Sequence, residues 1–173
     1  NRQFRIIAFY TDKEFVNKKD LYILKLNSES INIRYLLSLI NSTLFSFLKT
    51  KGSTTASKDD FSQLTLSDIR ELPIKQISSE QQQTFIEKAD IMLSKNKELN
   101  LLSQQFTQLL QAKFSTININ NKLENWYTLN ANEFLKELSK QKIKLPLAEQ
   151  QEWLQYFEEQ KIKANTIQQV ITQ

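Results

Sequence analysis

Cysteine and histidine are both absent from the 173 residues, and glycine occurs once, at Gly52. Without the first two there is no disulfide, no zinc-finger ligand set, no Ser-His-Asp triad and no thiolate nucleophile. A single glycine excludes the multi-glycine loops with which Rossmann and P-loop folds cradle phosphates, and argues for long helices joined by few tight turns. Proline occurs twice, at Pro73 and Pro146. No apolar run reaches the roughly 18 residues of a membrane-spanning helix. The opening Asn1-Arg2-Gln3-Phe4 lacks the apolar stretch of a signal peptide and an initiator Met, so the chain reads as cut from a larger protein. Freedom from cysteine suits a reducing cytoplasm. Hydrophobic residues make up 40%, enough for a core in one domain, or in one small domain plus an extension.

What is present is unevenly charged. Residues 1–58 hold ten Lys and Arg against four Asp and Glu, a balance of +6. Residues 59–115 carry −2 and residues 116–173 are neutral, so the net +4 comes from the first third. A polyanion would be met there. In that third Phe4-Arg5-Ile6-Ile7-Ala8-Phe9-Tyr10 and Leu21-Tyr22-Ile23-Leu24-Lys25-Leu26 are rich in β-branched and aromatic residues and predict two strands. Ile33, Leu36, Leu37, Ile40, Leu44, Phe47 and Leu48 follow helical spacing and predict one helix over residues 32–49. Lys51-Gly52-Ser53-Thr54-Thr55-Ala56-Ser57-Lys58 reads as a loop, and a short helical turn is expected near Ser67-Asp68-Ile69-Arg70.

Pro73 lacks an N–H and biases Leu72 away from helix, so Leu72-Pro73-Ile74 is expected to be extended. Ser78 with Gln81, or Ser79 with Gln82, fits a capping box opening a helix that continues to about Phe114. Phe85, Ala89, Met92, Leu99, Phe106 and Leu110 form its near-heptad stripe, interrupted by Asn96 and Ser103. A helix of about 50 Å cannot bury itself and is expected to pair with another long helix. Further on, Asn130 and Glu133 predict a capped amphipathic helix, and Pro146 stands where a last helix would start. Lys136, Lys140, Lys142 and Lys144 are offset by Glu133 and Glu137 and read as a solvated face.

Catalytic chemistry finds little to use. Adenine methylation needs an Asn/Asp-Pro-Pro-aromatic motif and a glycine-rich loop, and neither occurs. Glu159-Gln160-Lys161 matches the Glu-x-Lys of metal-dependent nucleases but lies in a helical context without its upstream Asp. Asp59-Asp60 reads as a turn feature. Binding is better served. Lys49, Lys51 and Lys58 flank a hydroxyl-rich loop in which Ser53, Thr54 and Thr55 can donate to phosphate oxygens, and Arg5, Lys18 and Lys19 belong to the same basic third. Read from the residues alone, ordinary solvated charges explain these cations as well as DNA does.

Arg34-Tyr35-Leu36-Leu37-Ser38-Leu39-Ile40-Asn41-Ser42-Thr43-Leu44 resembles a helix in the C-terminal target-recognition region of type IIG restriction–modification enzymes and related adenine-specific DNA methyltransferases. Phe61 with Leu64, Leu72-Pro73-Ile74 and Glu80-Gln81-Gln82 are similar both to that region and to type I specificity subunits. Leu123-Glu124-Asn125-Trp126-Tyr127, Glu133 to Leu138, Lys140 to Leu145 and Glu152-Trp153 with Tyr156-Phe157 resemble the end of the same large enzymes. Lys75 stands where the family often has a second proline, and the glycine usual between the early strands is missing near Lys13-Glu14.

The resemblance implies an α+β fold. A small β-containing recognition module would occupy residues 1–78, a coiled-coil-like spacer helix 79–115, and a helical region 116–173. It implies double-stranded DNA as partner, with upstream methyltransferase and nuclease domains of the same protein using S-adenosylmethionine and Mg²⁺. This segment itself would carry no cofactor and no catalysis. A type I specificity-subunit half, or a helical oligomerisation module without DNA contact, stand as alternatives.

Overall fold

Every regular element among the described residues is helical. A computed structural model of the chain describes residues 6–14, 16–17, 21–52 and 65–172, less the side chains of 50–52 and 172. It divides into two compact units, Asn1–Ile91 and Met92–Gln173.

In the N-terminal unit, α1 (Ile33–Ile40) starts at Asn32, whose side chain accepts the Arg34 N–H. α2 follows as Thr43–Gly52. The single helix expected over residues 32–49 is therefore broken at Asn41-Ser42. The Asn41 amide leaves the helix to bond both peptide groups of Ala8, each at 2.9 Å. The Ser42 hydroxyl accepts the Phe45 N–H as α2 begins. Both are residues whose side chains compete with helical backbone bonding.

The same contacts overturn the expected α+β architecture, because no strand or sheet exists among the described residues. Residues 6–10 run as irregular chain. The Ile6 N–H is taken by the buried Ser46 hydroxyl at 3.1 Å and the Ala8 N–H by Asn41, so helix side chains fill the positions a ladder partner would hold. Residues 21–26 likewise join no ladder: the Leu21 carbonyl accepts from the Asn17 side-chain amide, and Leu21, Tyr22, Ile23 and Leu24 are each 41–52% exposed. A β-forming composition expresses fit to a neighbouring strand, and the described residues supply none. The core of this unit is instead Ile6 against Leu36, Ile40 and Phe45, with Leu26, Leu48 and Leu72 at its margin.

α3 (Leu66–Arg70) opens with a capping box in which Thr65 and Asp68 satisfy each other's backbone N–H. Residues 72–78 are non-helical, as Pro73 dictates. The long α4 (Ser79–Lys113) then starts from the Ser78/Gln81 capping box, the first of the two pairings expected.

The C-terminal unit packs the second part of α4 with α5 (Asn121–Glu124), a 3₁₀ turn (Trp126–Thr128), α6 (Ala131–Lys140) and α7 (Leu147–Thr172). Asn130 and Glu133 cap α6 reciprocally, as their spacing predicts. The second part of α4 meets α7 through individual side chains. Phe106 of α4, 1% exposed, meets Tyr156 and Phe157 of α7, stacks on Trp126 at 4.0 Å and touches Phe134 edge-on. Phe134 in turn stacks on Phe157 at 4.6 Å. Leu99, Leu110, Leu123, Leu138 and Ala164 close the cluster. Ser103, a polar break in the stripe, donates to the Glu124 carbonyl and so ties α4 to α5.

One carboxylate is enclosed in this unit. The Glu137 side chain, 5% exposed, accepts hydrogen bonds from Lys140 at 2.7 Å and Asn120 at 3.3 Å, and Lys122 lies at 3.6 Å. The Lys140 bond holds its pKa below the usual glutamate range; burial opposes this, while Asn120 and both lysine charges assist. A lowered folded-state pKa gives stability that is complete above the unfolded-state value of about 4.3 and is lost as pH falls through the lower folded value. Glu137→Gln is therefore expected to flatten the acid limb of the stability curve. Urea midpoints between pH 5 and pH 2.5 check this; parallel limbs for the two chains would count against it.

Candidate nucleic-acid interface

α1 and α2 direct the chain into the segment from which DNA contacts are expected. α2 carries Lys49 and Lys51 and ends at Gly52; the described chain resumes at Thr65. Both flanks of the intervening segment are fastened. Upstream, Phe45 and Ser46 of α2 are buried, with Ser46 bonded to Ile6. Downstream, the α3 capping box sets the entry, and Leu72 packs on the α1–α2 core. Beyond it, the Tyr35 hydroxyl donates to the Lys75 carbonyl at 2.8 Å, pinning the stretch after Pro73 to α1.

Of the nine predicted contact residues, Lys49 alone has a described side chain. It is half-buried on α2, and its charge reaches the Asp68 carboxyl. Asp68 is held below the ordinary aspartate range chiefly by the Thr65 backbone N–H; burial opposes this, and the Thr65 hydroxyl and Lys49 add to it. Lys51 lies in α2 with its side chain outside the described residues, and Arg5, Lys18, Lys19, Ser53, Thr54, Thr55 and Lys58 lie outside them altogether.

Other cations of residues 1–78 divide into two groups. Lys13, Lys25, Arg70 and Lys75 are exposed. Arg34 is not free for base readout: it forms a salt bridge with Asp90, and its guanidinium stands 5.1 Å from the centre of the Tyr10 ring. Its sequence context could not reveal this, because Asp90 is 56 residues away.

Gln82, 2% exposed, is a residue to which the sequence suggested only a capping role. Its amide accepts the Asn32 N–H at 2.8 Å and donates to the Ser30 and Ile77 carbonyls at 2.8 and 3.1 Å. The start of α1, the end of the post-proline stretch and the first turn of α4 thus share one side chain. Beside it Tyr35 and Phe85 meet edge-to-face at 5.2 Å.

Among the described residues no three of His, Cys, Asp and Glu stand close enough to hold an ion. Glu159-Gln160-Lys161 lies inside α7, where Gln160 is buried, Glu159 accepts from Gln155 and Lys161 stands over the Phe157 ring. Among the described residues no helix is long and apolar enough to cross a membrane.

Residues 1–74, the part that contains the α1–α2 frame, match the TaqI-like C-terminal specificity domain, and residues 78–173 match a family described as a domain of unknown function (DUF8810). The chain belongs to the DUF8810 family and carries a C-terminal specificity region ahead of it. A protein of Methanocaldococcus jannaschii, provisionally named a type II restriction enzyme and methyltransferase, is 51% identical to this specificity-region chain over 75 residues. The match covers 43% of the chain and 6% of that relative's length. No solved structure matches the chain. The junction between the two matched families, residues 75–77, lies in the stretch that Tyr35 and Gln82 fasten.

Proposed function

We propose that the chain recognises a specific sequence in double-stranded DNA, as the C-terminal specificity part of a cytoplasmic restriction–modification enzyme whose catalytic domains lie elsewhere in the protein. The match of the first 74 residues to a specificity domain carries this reading, and the likeness to a type II restriction enzyme and methyltransferase supports it. In such a protein S-adenosylmethionine and Mg²⁺ would serve the upstream domains. Lys49, Lys51 and Lys58, with Ser53, Thr54 and Thr55 between them, would contact phosphates, and Arg5, Lys18 and Lys19 would extend the same surface. The rival reading as a helical assembly module has less to rest on, because Ala89, Leu99, Phe106 and Leu110 of the α4 stripe are already buried within the chain's own units.

The test is Lys51→Glu combined with Lys58→Glu, titrated with duplex DNA at several salt concentrations. Each phosphate contact contributes about 0.9 to the slope of log affinity against log salt, so the slope should become shallower by up to about 2, with weaker binding throughout. Affinity and slope both equal to the unmodified chain's would remove the loop from the interface.

A further inference from the structure

We propose that the turn closing α6 is a second contact for the DNA backbone, one that carries no sequence information; this rests on reading the chain as a DNA-recognition module. Residues 136–144 hold Lys136, Lys140, Lys142 and Lys144 against Glu137 alone, and no other nine consecutive residues hold as many cations. From sequence, Glu133 and Glu137 offset them. In the structure Glu137 is taken inward, while Glu133 stays exposed as the capping residue of α6. The Glu133 carboxylate accepts the Asn130 N–H at 2.8 Å, completing the α6 cap. Glu137 is buried and divides one negative charge between Lys140 and Lys122. Lys136, Lys142 and Lys144 are left exposed, with no ion pair among the described residues.

Helix electrostatics account for Lys140, which lies in the last turn of α6, where the carbonyl end attracts a cation. They do not account for Lys142 and Lys144, which lie beyond it. Lys142 occupies the left-handed region at φ 62°, the one positive-φ residue other than glycine among those described. The helix closes there with the Lys142 N–H on the Ser139 carbonyl and the Ile143 N–H on that of Leu138, a geometry in which glycine or asparagine costs least. A lysine at that position spends backbone energy to place a cation at the tip of the turn.

The exposed lysines of the turn suit phosphate. The adjoining cleft, about 310 Å³, is lined by the apolar Leu135, Leu138, Ile143 and Leu145 together with Ser139, Lys144 and Gln150. It offers no ring on which a base could stack, so the contact is to the phosphodiester backbone. An acidic protein would meet the same cations. The specificity region in the same chain favours DNA.

The experiment uses the full chain with Lys136→Gln, Lys142→Gln and Lys144→Gln combined. Binding is titrated against salt on a duplex selected by the unmodified chain from a random pool, and on an unrelated duplex of equal length. Fluorescence of Trp126 and Trp153 verifies that the unit is folded; the corresponding triple Lys→Arg chain, which keeps the charge, should retain the original slope. The slope should become shallower by about 2–3 on both duplexes, at about 0.9 per contact, with the affinity ratio between them unchanged. An unchanged slope overturns the proposal, as does loss of binding to a poly-glutamate peptide with DNA binding intact. Failure of the sequence-reading role looks different: the unmodified chain would bind both duplexes equally, and the slope comparison would still decide this contact.

Discussion

Phe106→Ala is expected to destabilise the C-terminal unit by about 3–5 kcal/mol, the range for removing a fully enclosed phenylalanine ring. The ring is the hub of that unit's core, touching Trp126, Phe134, Tyr156 and Phe157, and so joins α4, the 3₁₀ turn, α6 and α7. Removal forfeits the transfer energy and leaves a void that four other rings, wedged against one another, cannot close. A domain of this size has a total stability of about 5–15 kcal/mol, so the loss is a large share of it. Both tryptophans, Trp126 and Trp153, lie in this unit, so their fluorescence reports its unfolding selectively. At about 1–3 kcal/mol per M urea the midpoint should fall by more than about 1 M. A shift of a few tenths would mean that the cluster relaxes freely and is not what holds these helices together.

What could be read in advance follows from the range of the interactions involved. Capping boxes span three residues, so Ser78/Gln81 and Asn130/Glu133 were legible, as was the non-helical stretch imposed by Pro73. The α4 stripe was legible because its period repeats locally, although Phe85 and Met92 at its start remain substantially exposed. The break at Asn41 was hidden, since it depends on Ala8, 33 residues away. The expected strands failed for the same reason. Ile6 and Ala8 have a β-forming neighbourhood, but the groups that satisfy their backbone come from Ser46 and Asn41, on helix segments far along the chain. The candidate site was legible as a charge imbalance. Charge alone did not distinguish Arg34, committed to Asp90 and Tyr10, from the exposed Arg70 and Lys75.

Gln82→Leu is expected to be the most damaging single change in the N-terminal unit. Leucine fills a similar volume, so packing is largely kept and the effect isolates hydrogen bonding. Three backbone groups lose their partner: the Asn32 N–H and the Ser30 and Ile77 carbonyls. A buried group left unsatisfied costs about 1–3 kcal/mol; Ser30 and Asn32 are exposed and Ile77 half-buried, so water recovers part of the bonding and a combined loss of about 1–3 kcal/mol is expected. Gln82→Glu retains an acceptor for Asn32 but faces two carbonyls with a carboxylate, so it should not rescue the unit. Tryptophan fluorescence does not see this region, and amide hydrogen exchange does. Protection should fall through α1 and at the N-terminal turns of α4, while the tryptophan-reported midpoint moves far less. The functional consequence follows from the same tether. α1 leads into α2, and α2 carries Lys49 and Lys51 toward the proposed DNA contact, so loosening the start of α1 should weaken sequence-selective binding more than non-selective binding, whose phosphate contacts tolerate imprecise placement. Equal protection in the Gln82→Leu and unmodified chains would show that water or rearranged side chains satisfy these groups, and that the amide is not what joins the α1 start to α4.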